Sequence, residues 1–329
     1  MKSIAQGLLS LSRADGCTIF VEGAEEQSLR FADGGATTNV ATARARLRVT
    51  SHIGGRSGSV SVGGLEPDAL ARALARSEEI ARLLPEDPEH MPPLGPRDDV
   101  VGARYDEATA ALGLGDLAEA ARRAIAEGAP RDVKMFGFAG SCRRFEAMAT
   151  SNGLFAYDRS SFIDFSTTAR HRGDRWSGWA GERSFVAAKL DAAAIGRRAA
   201  EKAAQEAEPV DLEPGRYTVV LESAAAAELA RFLMWMMDAR SADEGRSFFS
   251  GRGGASRIGE KLFDEKISLR SDPSDELAPE ASFGDEGLPQ RPRRWIEKGV
   301  LRELRRSRHW AEKTGREPVP VARSFTLEG

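Results

Sequence analysis

The stretch Phe145-Glu-Ala-Met-Ala-Thr-Ser-Asn-Gly-Leu-Phe-Ala-Tyr157 decides the fold class of this chain. It consists of two strand-like runs separated by the pair Asn152-Gly153. Both residues of such a pair adopt positive φ angles in a tight hairpin turn, so the pattern predicts two antiparallel strands. Further strand-like runs at Val133–Ala139 and Phe162–Ala169 extend this hairpin into one twisted sheet.

The preceding segment has a helix, then strands, then a second helix. Leucines at helical spacing open the chain, and short strands are predicted at Cys17–Val21, Leu29–Phe31 and Ala45–Val49. Glycine pairs between and after them suit tight turns, because glycine reaches positive φ without steric cost. The helix begins near Glu66 and runs to about Leu84.

A proline-rich segment, residues 85–99, then acts as a linker or surface crossover, because proline interrupts both helices and interior strands. After it we expect an Asp-capped helix at Asp191–Ala207, a strand at Tyr217–Leu221 and a helix capped by Ser223. Within that helix, Met234–Met237 is expected to lie in the core.

Strands that cluster instead of alternating with helices indicate an α+β fold. The predicted N-terminal domain, residues 1–190, combines helices with an antiparallel sheet and contains the linker. A larger, mostly β C-terminal domain is predicted, over residues 191–329.

Composition excludes several classes of function. The chain has 329 residues and a formal net charge of −3, so no overall cationic field draws it to nucleic acid or to an anionic membrane. No apolar run is long enough to span a bilayer, and the N-terminal residues lack an apolar signal region, so we expect a cytoplasmic protein. Cys17 and Cys142 are expected to be buried apolar side chains.

The histidines do not form a local metal site. The chain has four, His52, His90, His171 and His309, and no two lie within one helical turn or one strand. A zinc site of the HExxH type is therefore not predicted. A phosphate-binding loop at Ile53–Gly58 is not predicted either, because the Lys-Ser/Thr pair and a following helix are missing.

Candidate binding residues lie in the last hundred residues. An acidic block, Asp264–Glu286, precedes a basic block, Arg291–Arg308, and opposite charges so close in sequence are expected to meet or to flank a polar groove. Asp285 and Glu286 lie between glycines on a predicted turn, so with Gly287 they are candidate substrate-binding residues. Ser247, in a glycine-flanked loop, is another; no catalytic residue is assigned.

Several motifs, taken in order, give the whole chain a resemblance to the TldD/PmbA (TldD/TldE) family, and specifically to its PmbA/TldE branch. They are Thr150-Ser-Asn-Gly153, Ile195-Gly-Arg-Arg-Ala-Ala199, Gly215–Leu229, Gly245-Arg-Ser-Phe-Phe-Ser-Gly251, Phe283-Gly-Asp-Glu-Gly-Leu-Pro289 and Trp295-Ile-Glu-Lys-Gly-Val-Leu301.

The resemblance implies a role without zinc in this chain. TldD members carry an HExxxH zinc motif at the start of the helix that follows the strand corresponding to Tyr217–Leu221, whereas this chain reads Glu222-Ser-Ala-Ala-Ala-Ala-Glu228 there. The expected partner is therefore a zinc-bearing TldD-type subunit, or a second copy of this chain. The resemblance implies a metallopeptidase complex that acts on small or unfolded peptides, including peptide precursors, and a chain inactive by itself with no cofactor of its own.

Two alternatives remain open at this stage. One is a modulator of DNA gyrase, the family's older description; the other is an independent non-zinc hydrolase with His171 or His309 as the base. Family members also continue beyond the position of Gly329, so the C-terminal domain is expected to be incomplete, with an unfilled sheet edge.

Overall fold

The computed structural model describes residues 1–98, 100, 102, 104–171, 173, 176–205 and 210–329. Helices and antiparallel sheets both contribute, which confirms the α+β fold class. The helices are α1 (Lys2–Leu11), α2 (Pro67–Leu83), α3 (Glu107–Ala110), α4 (Leu114–Ala126), α5 (Ala192–Ala203), α6 (Ser223–Met236), α7 (Ala239–Asp243) and α8 (Arg308–Thr314). The strands are β1 (Gly16–Ala32), β2 (Gly35–Ile53), β3 (Arg56–Gly63), β4 (Val133–Thr150), β5 (Phe155–His171), β6 (Ser177–Ser184), β7 (Ser268–Ser271), β8 (Arg293–Glu297), β9 (Val300–Leu301) and β10 (Thr326–Glu328).

Over the described ranges, the first six strands form one antiparallel sheet in the order β3-β2-β1-β4-β5-β6. The prediction of separate short strands at Cys17–Val21 and Leu29–Phe31 is wrong, because both belong to the single strand β1. The intervening acidic residues stay in the strand because they face arginines on the neighbouring strands. Glu22 lies 3.9 Å from Arg46, and such cross-strand pairs of opposite charge favour a continuous ladder.

Helices cover one face of this sheet. Near one end of β1, α1 and α2 bury a cluster that includes Ile19, Val21 and Leu74. Near the other end, α4 and α5 bury a cluster that includes Phe165 and Ile195. The opposite face, which we call the open face, carries charged and aromatic side chains at the alternate positions of the same strands.

The two cysteines confirm the expectation of buried apolar side chains. Cys17 and Cys142 are both buried and neither forms a disulfide. Burial raises the pKa of each thiol to about 11, so both are protonated and unreactive near neutral pH.

The predicted hairpin is present, and Ala149 of β4 pairs with Phe155 of β5 across the turn. Of the turn pair, only Gly153 has a positive φ, at 94°, so the expectation that Asn152 shares it is wrong. The Gly153 N–H donates to the Thr150 carbonyl over 3.1 Å, which closes a longer turn that needs one left-handed residue. Glycines with positive φ also occupy the turns at 34, 54–55 and 64, as predicted.

Helix α5 begins as expected. The Asp191 carboxylate accepts hydrogen bonds from the Ala193 and Ala194 N–H groups, which confirms the cap. The helix ends at Ala203, and residues 206 and 207 of the predicted span lie outside the described residues. Because α5 packs against β5 and β6, it shares the core of the first sheet. The domain division at 190/191 stays a prediction.

In the C-terminal part, β10, β7, β8 and β9 form a second sheet, in that order, around a core that includes Trp295 and Phe249. The prediction of a strand at Tyr217–Leu221 is wrong. Within the part of the chain that is described, no strand pairs with this segment, and Val220 is 92% exposed. Residues that favour strands do not form a β-strand unless a neighbouring strand is there to pair with them.

Helix α6 also differs from the expectation, both in the residue that caps it and in which of its residues are exposed. Its N-cap is Glu222, without a side-chain hydrogen bond, because the helix already includes Ser223. Met234 and Met237 are buried as predicted, whereas Trp235 and Met236 are exposed. No helix among the described residues is long and apolar enough to cross a membrane.

The contact between β3 and α2 requires glycine at position 58. A Cβ there would lie 2.2 Å from the Ser77 carbonyl oxygen and 2.4 Å from the Ala81 nitrogen, both backbone atoms of α2. We expect Gly58→Ala to lower the free energy of unfolding by about 3 kcal/mol, because the helix must move. A denaturant unfolding curve measures this loss.

Gly63→Ala on the same strand is the matched control, since a Cβ at Gly63 meets nothing within 4 Å. Its effect is expected to stay within about 0.5 kcal/mol. Equal effects of the two substitutions would contradict the packing assigned to α2.

Candidate functional site

A pocket of about 400 Å³ opens on the open face of the six-stranded sheet, and we call it the sheet–loop pocket. Two rows of side chains on β2, β1 and β4 form its floor. Phe20 of β1 lies opposite Arg48 on one side and Met148 on the other, and Thr18 lies in the same way between Thr50 and Thr150. The floor therefore combines an apolar centre with hydroxyl groups and one guanidinium.

The proline-rich linker forms one wall of the pocket through residues 91–94. Three side chains hold this wall by donating hydrogen bonds to its backbone carbonyls. The Asn152 amide donates to Pro93 over 2.7 Å, the Thr150 hydroxyl donates to Leu94 over 2.5 Å, and the Arg308 guanidinium donates to Pro92 over 2.8 Å. The hairpin turn and the C-terminal part thus fix the linker over the sheet.

The loop with Asp285, Glu286 and Gly287 forms the opposite wall. Gly287 has a φ of 81°, and a Cβ there would lie 2.7 Å from the sulfur of Met148, so glycine lets the loop approach β4 closely. Arg323 ties the loop to the sheet, because its guanidinium donates to Asp285 over 2.5 Å and to Glu146 of β4 over 2.7 Å.

Glu286 and Arg308 bring the acidic and basic blocks of the sequence together. The Arg308 backbone N–H donates to both carboxylate oxygens of Glu286, at 3.2 and 3.4 Å. Partial burial raises the pKa of Glu286, and the N–H and charge of Arg308 oppose this rise. Partial burial also lowers the pKa of Arg308.

A histidine–serine cluster lies at the rim of the pocket. Ser57 Oγ is 2.9 Å from His52 Nδ1 and 3.4 Å from His90 Nδ1, and the two imidazole rings are 5.1 Å apart. Burial, with His90 and the charge of Arg308 as smaller causes, lowers the pKa of His52 to about 4. A neutral imidazole of such low basicity is a poor general base for Ser57.

The structure separates the sequence-predicted site residues into two places. Asp285 and Glu286 line the sheet–loop pocket and Gly287 packs behind them, whereas Ser247 does not line it. The Ser247 hydroxyl accepts a hydrogen bond from the Phe249 N–H inside its own loop. A substrate-binding role for these residues stays a prediction.

Sequence reasoning missed Arg48 and the contact between His52 and His90, whereas Arg308 belongs to the basic block that was expected to meet the acidic block. Alternation with Leu47 and Val49 places Arg48 on the open face, and that signal was available. The contact between His52 and His90 could not be predicted from the sequence, because it depends on the path that the linker takes across the sheet.

The residues at the start of α6 do not fit a zinc ion. Glu222 pairs with Lys202 and Glu228 pairs with Arg231, and no imidazole lies between them. Among the described residues, no group of three or more His, Cys, Asp or Glu side chains is placed to hold a metal ion.

Two family models match about two thirds of the chain. Residues 102–206 match the PmbA/TldA metallopeptidase central domain, and residues 214–327 match the PmbA/TldA metallopeptidase C-terminal domain. The fold and these matches define a metallopeptidase-related α+β protein. The chain belongs to the TldD/PmbA family. A search of curated proteins finds no match.

Solved structures share the fold over nearly the whole chain. A candidate modulator of a DNA gyrase from Thermotoga maritima has a TM-score of 0.85 and 19% identity, over 97% of this chain and 74% of that protein. A candidate modulator of DNA gyrase from Bacteroides thetaiotaomicron has a TM-score of 0.84 and 20% identity, over 99% and 77%. TldE from Thermococcus kodakarensis has a TM-score of 0.84 and 16% identity, over 100% and 77%. At these identities the likeness shows the fold.

The lowered pKa of His52 predicts a pH dependence of stability. The unfolded chain binds a proton near pH 6.5, while the folded chain resists it until about pH 4, so stability falls as the pH falls through this range. The parent chain is expected to lose on the order of 2 kcal/mol of unfolding free energy as the pH falls from 6.5 to about 4, a value that allows for partial solvent access to His52. His52→Gln is expected to abolish this loss. Unfolding midpoints measured between these pH values test this.

His171→Gln is the control, because His171 does not line the pocket. This variant is expected to keep the pH dependence of the parent chain. An unchanged slope in His52→Gln would contradict the role assigned to His52.

Proposed function

We propose that this chain is a PmbA/TldE-like, non-catalytic subunit of a TldD-type zinc metallopeptidase complex that acts on small or unfolded peptides. The sheet–loop pocket holds part of the peptide, and a TldD-type partner supplies the zinc and the hydrolytic step. By itself the chain is inactive.

The observation that carries this proposal is the composition of the sheet–loop pocket. Its floor offers the apolar surfaces of Phe20 and Met148 and the guanidinium of Arg48, while its walls offer Glu286 and the guanidinium of Arg308. A short peptide has the matching groups, namely apolar side chains beside backbone N–H groups and charged ends. A volume of about 400 Å³ lies in the range of small-ligand sites.

The sequence at the start of α6 supports a non-catalytic role. The family's zinc-bearing members carry histidines there, whereas this chain has four alanines at 224–227 between Ser223 and Glu228. Zinc polarises a peptide carbonyl and generates hydroxide near neutral pH, and alanine side chains cannot hold it. The metal chemistry of the complex therefore belongs to the partner.

An exposed apolar surface supports association with another subunit. Val219, Val220, Leu229, Phe232 and Trp235 are each more than half exposed, and they lie on α6 and the segment before it. Large exposed apolar surfaces typically mark contacts with other proteins. The unpaired, buried cysteines suit a complex located in the cytoplasm.

Mixing the chain with a partner tests the proposal. Zinc-supplemented peptidase activity on an unfolded peptide is measured for this chain alone, for an HExxxH-bearing TldD-type protein from the same source alone, and for the mixture. We expect no turnover by this chain alone and more turnover by the mixture than by the partner alone.

Turnover by the chain alone would contradict the non-catalytic role and favour the independent-hydrolase alternative. A mixture no more active than the partner would contradict the subunit role. Retention of DNA by the chain at low salt, lost steeply as salt rises, would favour a role on nucleic acid instead.

Glu286→Gln tests the pocket within the same assay. The substitution keeps the shape and removes the charge that faces the peptide, so the mixture is expected to show a KM raised about tenfold, as for the loss of one charge-assisted hydrogen bond. The matched control is Glu265→Gln, because Glu265 is exposed and its side chain does not line the pocket. An equal KM for both variants would contradict a substrate contact at Glu286.

A further inference from the structure

Two guanidiniums in the sheet–loop pocket form no ion pair with a carboxylate of the described residues. Arg48 lies 5.3 Å from the centre of the Phe20 ring, and no acidic side chain within the described part of the chain forms an ion pair with it. The Arg308 guanidinium donates to the Pro92 carbonyl, and over the same ranges it also has no ion pair.

Other arginines on the open face differ from these two. Arg44 is 3.0 Å from Glu26, Arg46 is 3.9 Å from Glu22, and Arg183 is 2.6 Å from Asp164. Arg30 and Arg144 lie on the same face and form no ion pair among the described residues, and Arg144 donates to the Ser160 hydroxyl instead. Arg48 and Arg308 differ from these two because they line the sheet–loop pocket, which has an apolar floor.

The acidic side chains of the pocket each have a hydrogen-bond donor within the chain. Asp285 accepts from Arg323, and Glu286 accepts from the backbone N–H of Arg308. Neither carboxylate forms an ion pair with the guanidinium of Arg48 or Arg308, although the charge of Glu286 acts on Arg308 from farther away. His52, whose pKa is about 4, adds no positive charge near neutral pH. Among the described residues, Arg48 and Arg308 are therefore the cations of the pocket that have no carboxylate within ion-pair distance.

We infer that the sheet–loop pocket holds a short peptide by its free C-terminal carboxylate, which Arg48 and Arg308 receive. This inference rests on the proposed function, and it adds a substrate class: peptides with an unblocked C-terminus and an apolar last residue. Planar guanidiniums match carboxylate geometry with parallel hydrogen bonds. Phe20, Met148 and Leu94 contact the last side chain of the peptide.

Calorimetric titration of the whole chain without any partner tests this inference. The probes are alanyl-leucyl-phenylalanine with a free carboxylate and the same tripeptide as its C-terminal amide. We expect the amide to bind at least about tenfold more weakly, as for the loss of hydrogen bonds to a charged group.

The substitution Arg48→Gln tests whether Arg48 binds the carboxylate of the peptide. It is expected to weaken binding of the free carboxylate about tenfold and to leave the amide unchanged. Arg46→Gln is the matched control, since Arg46 lies two positions away on the same strand and face, faces Glu22 and does not line the pocket. Arg308→Lys keeps the positive charge but cannot form two parallel hydrogen bonds with a carboxylate, so we expect a smaller loss of affinity for the free carboxylate.

Two further probes distinguish the source of the anion. Inorganic phosphate and an amidated peptide with an internal glutamate are both expected to compete poorly with the free tripeptide. Competition as strong as that of the tripeptide would overturn recognition of a peptide terminus.

Equal affinity for the carboxylate and the amide, or no binding of the free tripeptide, would overturn the inference. These results come from the chain alone, whereas the subunit role is judged by turnover in the mixture. Failure of one is therefore distinguishable from failure of the other.

Discussion

The alternation of apolar and charged side chains along β1, β2 and β4 is the constraint on which the rest of the structure depends. Apolar residues such as Ile19 and Leu47 face the helices, while Phe20, Glu22 and Arg46 face the open side. A register shift by one residue would exchange the two faces and expose the core. Because the register is fixed, Arg48, Phe20 and Met148 form one row, and this row becomes the floor of the sheet–loop pocket.

The C-terminal part depends on that same face for its position. Arg323 bridges Glu146 of the sheet and Asp285 of the loop, and Gly287 allows the loop to reach Met148. Burial lowers the solvation of Arg323, but its two carboxylate partners raise its pKa and keep it charged. The pocket is thus a product of the sheet and of a loop more than a hundred residues later in the chain.

Local signals in the sequence predicted much of the fold. The hairpin at Gly153, the Asp191 cap and the glycine turns each depend on residues close in sequence, and the structure confirms them. Tyr217–Leu221 was mispredicted because a strand needs a neighbour, which propensity does not encode. The turn at Asp285 and Glu286 predicted an accessible loop. No local sequence pattern predicted that this loop lies beside Arg48 and the linker, because these contacts join residues far apart in the chain. The meeting of His52 and His90 depends on the path of that linker, which few local rules govern.

The two pocket guanidiniums without an ion pair point to a role in binding and not in stabilising the fold. Partial burial lowers the pKa of Arg308, and the charges of Glu286 and Glu312 oppose this shift without forming an ion pair with it. Arg46, two positions from Arg48, shows that the same face can place an acid opposite a guanidinium. Arg48 is exposed, so an ion pair there would add little stability, and its guanidinium is accessible to an anion that enters the pocket. An anion that enters the pocket from outside can supply a partner for these guanidiniums, and the apolar floor favours an anion that carries an apolar group. A peptide C-terminus has both parts within one residue, which is why the chemistry of the pocket and the family's metallopeptidase relationship lead to the same class of ligand.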